Sequence, residues 1–334
     1  MRKYFASKFS TALAAGGILG GGGGYAYNSS FPKTLQEALE REGIAFIESI
    51  AGETERNNAY KSIFSDFKNE ISSDISVTGS TDNFENSYSK IQEWCSKLLN
   101  TAYSYSAWRK NKPNLVKYCS DRKPIKVESW LRRLGHNNWA NDEEYKAIFA
   151  VYRFSSNFLG VINTAKKTGE NDYYASEKVG TGYSRLKKWC TQNLNLFTAD
   201  VQDLILYSQL TWWCKPLGYD DVKGRIKKMY GESWKKEESN ETETGKPWDA
   251  IKDFWNKDFD VKSYIKSDSN AATVLSADEY KKWCSEILDK KLSEEGIYVK
   301  NYKAAKSVCV ELKVQKKLKE TKDLRKAIEE ANKT

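Results

Sequence analysis

The sequence predicts an all-α protein: three tandem, diverged four-helix units of about 95 residues, after an N-terminal signal or membrane-anchor segment. Three observations predict this class. Six cysteines recur at nearly constant spacing, apolar residues repeat at helical intervals, and only 5 prolines interrupt the 334 residues. Charged residues make up 30% of the chain and hydrophobic residues 40%, a balance typical of a folded globular chain rather than a disordered one.

The cysteine spacing is the strongest indication of a repeat. The cysteines form three pairs with separations of 24, 24 and 25 residues, namely Cys95 and Cys119, Cys190 and Cys214, and Cys284 and Cys309. Matching cysteines of successive pairs are 94 or 95 residues apart, and self-similarity at a fixed period indicates a repeat architecture. The predicted domains are a signal or anchor segment with linker at 1–33 and repeat units at 34–122, 123–219 and 220–334.

Each unit carries two predicted helices around its cysteines. A tryptophan precedes the first cysteine of every pair, as in Trp94, Trp189 and Trp283, within an apolar stripe that directs both residues to the core. In the third copy, Ser276 and Glu279 form a capping-box pattern at the start of this helix. The second cysteine ends another stripe, with Leu115, Leu210 and Ala305 one helical turn earlier in the three copies.

Two further helices are predicted upstream in every unit. The first ends at a glycine, as at Gly43, Gly135 and Gly231, which is typical of a helix C-terminus. The second has apolar residues at i, i+3 and i+7: Tyr60, Ile63 and Phe67; Tyr145, Ile148 and Tyr152; Trp248, Ile251 and Trp255. Variable stretches at 72–83, 164–181 and 235–245 are interpreted as loops. The Lys- and Glu-rich tail at 312–334 is predicted to be a solvated terminal helix, with a partial fourth unit as the alternative.

The first residues have the pattern of a targeting segment. Arg2, Lys3 and Lys8 precede an uncharged stretch at 9–27, near the length needed to cross a bilayer. Its glycines weaken the helix propensity, so cleavage and secretion remain open beside anchoring. The basic N-terminal side predicts a single-pass protein whose C-terminal region is extracellular, with the membrane as a partner through residues 9–27.

The cysteines are interpreted as three structural disulfides, each within one unit. Export places the chain in an oxidising environment, where paired cysteines form such bridges. Six buried reduced thiols are the alternative. A zinc site is not favoured, because short Cys-x-x-Cys spacing is absent and His136 is the only histidine.

No catalytic motif is present in the sequence. It lacks a phosphate-binding loop, a nucleophile elbow and a metalloprotease helix, so no catalytic, cofactor-binding or metal-ligating residue is assigned and no cofactor is expected. His136 follows a predicted helix end and is interpreted as a solvated loop residue. The net charge of +9 permits nucleic-acid binding, but lysines interleave with acidic residues and the repeating aromatics occupy core positions.

The basic leader with its Ala/Gly-rich stretch and the repeated Trp94-Cys95, Trp189-Cys190 and Trp283-Cys284 segments resemble uncharacterised paralogous protein families of haemotropic mycoplasmas. This resemblance implies a surface-displayed, antigenically variable protein of a wall-less bacterium on red blood cells. It implies no catalytic residue or ligand.

The sequence therefore predicts a non-enzymatic surface protein, membrane-anchored or secreted, that serves host interaction or antigenic display. Its expected partners are host-cell surface molecules. Two alternatives remain: an exported hydrolase of nuclease or protease type for nutrient acquisition, and a basic nucleic-acid-binding protein.

Overall fold

The computed structural model describes residues 31–75, 84–162, 178–231, 246–266, 272–310 and 312–333. Over these ranges the protein is helical and contains no β-strand, which confirms the predicted all-α class. The proposed anchor at 9–27 lies outside the described residues. Among the helices that are described, none combines the length and the apolar character that a bilayer crossing requires.

Seventeen α-helices occur in the described ranges. They are α1 (Leu35–Glu40), α2 (Glu53–Phe67), α3 (Ile71–Ile75), α4 (Phe84–Leu99), α5 (Tyr105–Tyr118), α6 (Val127–Arg133), α7 (Asp142–Tyr152), α8 (Ser156–Ile162), α9 (Val179–Leu194), α10 (Ile205–Trp213), α11 (Val222–Tyr230), α12 (Lys246–Trp255), α13 (Phe259–Ile265), α14 (Ala277–Leu288), α15 (Tyr302–Val308), α16 (Leu312–Thr321) and α17 (Leu324–Ala331). One π-helical turn, Ile297–Asn301, leads into α15.

The prediction of four helices per unit is wrong. The ranges 34–122 and 123–219 each contain five described helices, and 220–310 contains five before the C-terminal pair. The unpredicted helices are the short α3, α8 and α13. In α3 and α8, buried apolar residues four positions apart form a single helical turn, which is too short for a periodic stripe to reveal. The predicted loop at 72–83 therefore begins inside α3, and the loop at 164–181 ends inside α9. The loop at 235–245 lies outside the described residues.

The apolar side chains form three core clusters. The first spans Leu35 to Cys119, the second Val127 to Cys214, and the third is centred on Val222 to Val314. The third cluster also takes in Ala147 and Val151 from α7, so the second segment contributes to the third core. The predicted stripes supply most of these side chains, because residues at helical spacing share one face.

The same backbone contact recurs at three places. The first N–H of α1, α6 and α11 donates to a carbonyl just beyond the tryptophan–cysteine helix: Leu35 to Thr101 (3.0 Å), Val127 to Leu196 (2.9 Å) and Val222 to Lys290 (3.1 Å). A second bond runs in the opposite direction two residues away, which completes an isolated antiparallel bridge: Tyr103 to Lys33 (2.9 Å), Thr198 to Ile125 (2.8 Å) and Leu292 to Asp220 (2.8 Å). Each pair of bonds holds the first helix of a segment against the end of that segment's tryptophan–cysteine helix.

The C-terminal tail is not the solvated helix that its composition suggests. Val314, Ala327 and Ile328 of α16 and α17 are buried against the third cluster. Gln315 is fully buried: it accepts from Trp255 Nε1 (2.8 Å) and donates to the carbonyls of Val308 (3.0 Å) and Val310 (2.6 Å). The prediction failed because the many lysines hide a narrow apolar stripe that relies on small alanines.

Candidate functional site

The structure brings together the six cysteines that the sequence singled out. Each expected pair is at disulfide distance, with Cα–Cα separations of 5.6, 5.7 and 5.5 Å for Cys95–Cys119, Cys190–Cys214 and Cys284–Cys309. All six are buried, and no free cysteine remains among the described residues. This geometry agrees with the predicted pairing.

Each disulfide joins the tryptophan–cysteine helix to the end of the following helix. The second cysteine ends that helix in all three cases, and its N–H donates to the carbonyl four residues earlier, at Leu115, Leu210 or Ala305 (2.9 Å each). Aromatic rings pack beside the first two bridges: Trp94 lies edge-on to Tyr118, and Trp189 lies against Trp213. The bridges therefore lie inside the cores, and no cysteine lines either of the two hollows described below.

His136 is half-buried rather than solvated as predicted. Its Nδ1 lies 3.2 Å from Lys215 Nζ, so the neutral imidazole accepts from the ammonium group. Burial, followed by the charge of Lys215, lowers the pKa of His136. The described residues contain no cluster of His, Cys, Asp and Glu side chains arranged to hold a metal ion.

Two hollows open on the surface where α7 approaches the third segment. The larger, of about 490 Å³, has a mixed lining that includes Glu143, Glu144 and Lys291. The smaller, of about 300 Å³, has a lining of aromatic, aliphatic and basic side chains: Phe154, Tyr298, Val299, Tyr302, Lys303 and Lys306. We call it the basic hollow.

Arg225 of α11 lies between the two hollows, in a cage of tyrosines. Its guanidinium carbon is 5.3, 5.5 and 5.9 Å from the ring centroids of Tyr219, Tyr298 and Tyr302. Tyr219 lines the larger hollow, whereas the other two line the basic hollow. Arg225 donates to the hydroxyls of Tyr219 and Tyr298, and its buried Nε has no hydrogen-bond partner in the described structure.

The hydroxyls of Tyr219 and Tyr302 are hydrogen-bond donors at neutral pH. Burial raises the pKa of Tyr219 even though the guanidinium of Arg225 opposes that rise. Burial likewise raises the pKa of Tyr302 well above its usual value. The rings of Tyr298 and Tyr302 stack at a centroid distance of 5.3 Å across the π-helical turn, an irregularity frequent at functional sites.

No family model, curated protein or solved structure matches this chain. The site must therefore be interpreted from its own chemistry.

Sequence reasoning did not find the tyrosine cage, although a comparison of the three segments contains a signal for it. Counted from the first residue of each segment's first helix, the position of Arg225 holds Ala38 and Trp130 in the other two segments. Counted back from the second cysteine, Tyr298 corresponds to Trp108 and Asp203. An arginine at a position that is apolar in its counterparts, with an aromatic partner about 70 residues away, is visible only after the copies are aligned.

Proposed function

We propose that this protein is a non-enzymatic cell-surface protein made of three diverged, disulfide-stapled helical units at 34–122, 123–219 and 220–334. Residues 9–27 anchor it in the membrane or direct its secretion, and the remainder lies outside the cell. Its role is interaction with host-cell surface molecules or antigenic display.

The observation that carries this proposal is one buried disulfide in each of three cores. Disulfides persist in oxidising compartments and are rare in the cytosol, so three such bridges favour export. On the chain-entropy model, a bridge closing 24 or 25 residues stabilises the fold by about 3 kcal/mol. Small units with separate cores benefit from such staples outside the cell.

The three-unit architecture is supported by the recurrent backbone contacts. The same two hydrogen bonds tie the first helix to the end of the tryptophan–cysteine helix in every segment. The same cap at the second cysteine recurs as well. A repeat whose copies contact their neighbours offers an extended surface on which individual copies can diverge.

The decisive test combines topology with redox state. Intact cells that produce the protein are treated with an added protease, and the fragments are followed with antibodies to 312–333. We expect loss of the full-length chain in intact cells, while a cytoplasmic marker survives until the cells are permeabilised. Protection of the whole region after residue 34 in intact cells would overturn the proposal.

Thiol counting supplies the second arm. Protein from the same cells is alkylated under denaturing, non-reducing conditions, and its mass is measured. We expect no alkylated cysteine, with disulfide-linked peptides for each of the three pairs. Six alkylated cysteines would contradict export and make a cytoplasmic nucleic-acid-binding role the better explanation.

A further inference from the structure

We propose that the basic hollow binds a small anionic ligand whose negative group is carried on a ring. The hollow is lined by two lysines, two stacked tyrosines and an exposed phenylalanine. This inference does not depend on where the protein is displayed.

The charge of the hollow is unbalanced. Lys303 and Lys306 lie one turn apart on α15, and no carboxylate belongs to the described lining. Arg225, behind the tyrosine wall, makes its hydrogen bonds with hydroxyls rather than with a carboxylate. Lys306 and Arg225 are half-buried, whereas Lys303 is exposed. A half-buried cation without a counter-charge is unfavourable, and a bound anion would relieve this cost.

The hydroxyl of Tyr298 has a proton to donate. It accepts a hydrogen bond from Arg225 Nη2 at 3.4 Å, which leaves its own proton for another acceptor. Because Tyr298 also lines the hollow, an anion there can accept from this hydroxyl and from the lysine ammonium groups. Hydrogen bonds to charged groups are roughly twice as strong as those between neutral groups.

The walls provide a surface for a ring. Phe154, which follows α7, is 51% exposed although it is aromatic, and it forms part of the lining. Tyr298 and Tyr302 present stacked rings from the third segment. A volume of about 300 Å³ accommodates a compact ring with one charged substituent. A sugar ring packs its C–H face on such rings, and a nucleobase stacks on them.

The other segments lack this combination. Counted back from the second cysteine, Lys303 and Lys306 correspond to Pro113 and Val116 in the first segment, and to Ser208 and Thr211 in the second. Arg225 is also specific to the third segment. The basic hollow is therefore a specialisation of one copy rather than a consequence of the shared fold.

The test titrates the full chain with charged and neutral ring compounds by calorimetry and ligand-observed NMR. The charged probes are N-acetylglucosamine 6-sulfate and adenosine 5′-monophosphate, and their neutral counterparts are N-acetylglucosamine and adenosine. Inorganic sulfate and inorganic phosphate test the anion alone. We expect at least one charged probe to bind about tenfold or more tightly than both its neutral counterpart and the corresponding inorganic ion. The sugar and nucleotide arms identify the source of the anion.

Variants locate the binding. Lys303→Gln with Lys306→Gln should weaken it by about tenfold or more, and Tyr298→Phe and Phe154→Ala by smaller factors. The matched control, Lys281→Gln with Lys282→Gln, removes the same charge from exposed positions on α14 and should change binding less than about twofold. Circular dichroism establishes that each variant is folded. The proposal is overturned if no charged probe binds up to about 10 mM, if neutral probes or the inorganic ion bind equally well, or if the control loses as much affinity.

Discussion

The two junctions between successive segments use opposite chemistry at one corresponding position. At the first, Asp66 of α2 accepts from the backbone N–H groups of Ile125 (2.9 Å) and Lys126 (3.1 Å) and from the hydroxyl of Ser129. At the second, Val151 of α7 is buried in the third core cluster with Val222 and Ile226. One contact is a carboxylate that caps a helix start, whereas the other is apolar packing.

Asp66 and Val151 occupy the same position in their segments. Each precedes the last aromatic residue of the second helix, Phe67 or Tyr152. The third counterpart, Phe254, lies under the ammonium group of Lys319 on α16, 4.0 Å from the ring centroid. Asp66 and Phe254 therefore contact the helix that follows their segment, α6 or α16, and Val151 is buried in the core cluster of the following segment. The corresponding position makes three chemically different contacts.

Moving the carboxylate into the second junction should have the largest effect. Val151→Asp buries a carboxylate in the apolar third core cluster, and we expect a loss of about 3 kcal/mol or more of stability. Urea unfolding of the full chain, with hydrogen exchange on α7 and α11, measures it. Val151→Ala is the matched control and should cost about 1 kcal/mol. An equal loss for both variants would show that the second junction tolerates a charge.

The sequence predicted the helices of these junctions but not their contacts. The stripe formed by Tyr60, Ile63 and Phe67 identified α2, because apolar residues at i, i+3 and i+7 share a face. Asp66 lies off that stripe, and an aspartate outside an apolar stripe is normally predicted to be exposed to solvent. Its role depends on α6, about 60 residues away, and long-range contacts of this kind leave no local periodicity.

The contrast between local periodicity and long-range contacts also explains why the disulfides were predicted and the basic hollow was not. Regular spacing and shared neighbours sufficed for the disulfides, because both members of each pair lie on predicted stripes. The tyrosine cage joins Tyr219 of a loop, Arg225 of α11 and Tyr298 of the π-helical turn. This arrangement does not follow from residue order.

Removing the carboxylate at the first junction should have the second largest effect. Asp66→Ala leaves the N–H groups of Ile125 and Lys126 without their acceptor, and we expect a loss of about 2 kcal/mol. Hydrogen exchange should quicken in α6 but not in α11. Asp66→Asn keeps one carbonyl oxygen and should lose about half as much. Unchanged exchange in α6 for the alanine variant would contradict the capping role.

The second junction also contains an ion pair, whose removal should have a smaller effect. Glu295 accepts from Arg153 (2.8 Å) and from the N–H of Val179 (2.6 Å). Burial opposes ionisation, but the Val179 N–H and the Arg153 guanidinium hold the pKa of Glu295 below its usual value. Its contribution is therefore present above the unfolded value of 4.5 and is lost as the pH falls through the lower folded pKa.

We expect Glu295→Gln to lower the free energy of unfolding by about 1 kcal/mol at neutral pH, and by less in acid. The value is this small because the carboxylate is half-exposed. Urea midpoints near pH 7 and near pH 3 measure the difference. Glu294→Gln, one residue away, provides the control, since it removes the same charge without the contacts to Arg153 and Val179. If the stability lost in Glu295→Gln were as large near pH 3 as near pH 7, the stabilising role of the ionised Glu295 carboxylate would be contradicted.

The smallest expected effect is at the first junction. Its stability should respond to pH in a higher range than the acid range in which Glu295 titrates. His136 follows α6, next to Asn137, whose side chain donates to Asn58 of α2 (3.0 Å). Because burial and Lys215 lower the pKa of His136, the folded state favours the neutral ring. That contribution is present above the unfolded value of 6.5 and is lost as the pH falls through the folded pKa.

Acidification from about pH 7.5 to about pH 5 should therefore loosen the first junction by less than about 1 kcal/mol and leave the second unchanged. Hydrogen exchange on the segment after α6, corrected for the intrinsic rate at each pH, measures it. His136→Gln should abolish the response, since this is the only histidine of the chain. Lys215→Met should diminish it, because the repelling ammonium group is gone while burial remains. A response that survived in His136→Gln would place the titrating group elsewhere. The two junctions would then differ in their packing but not in the pH at which they open.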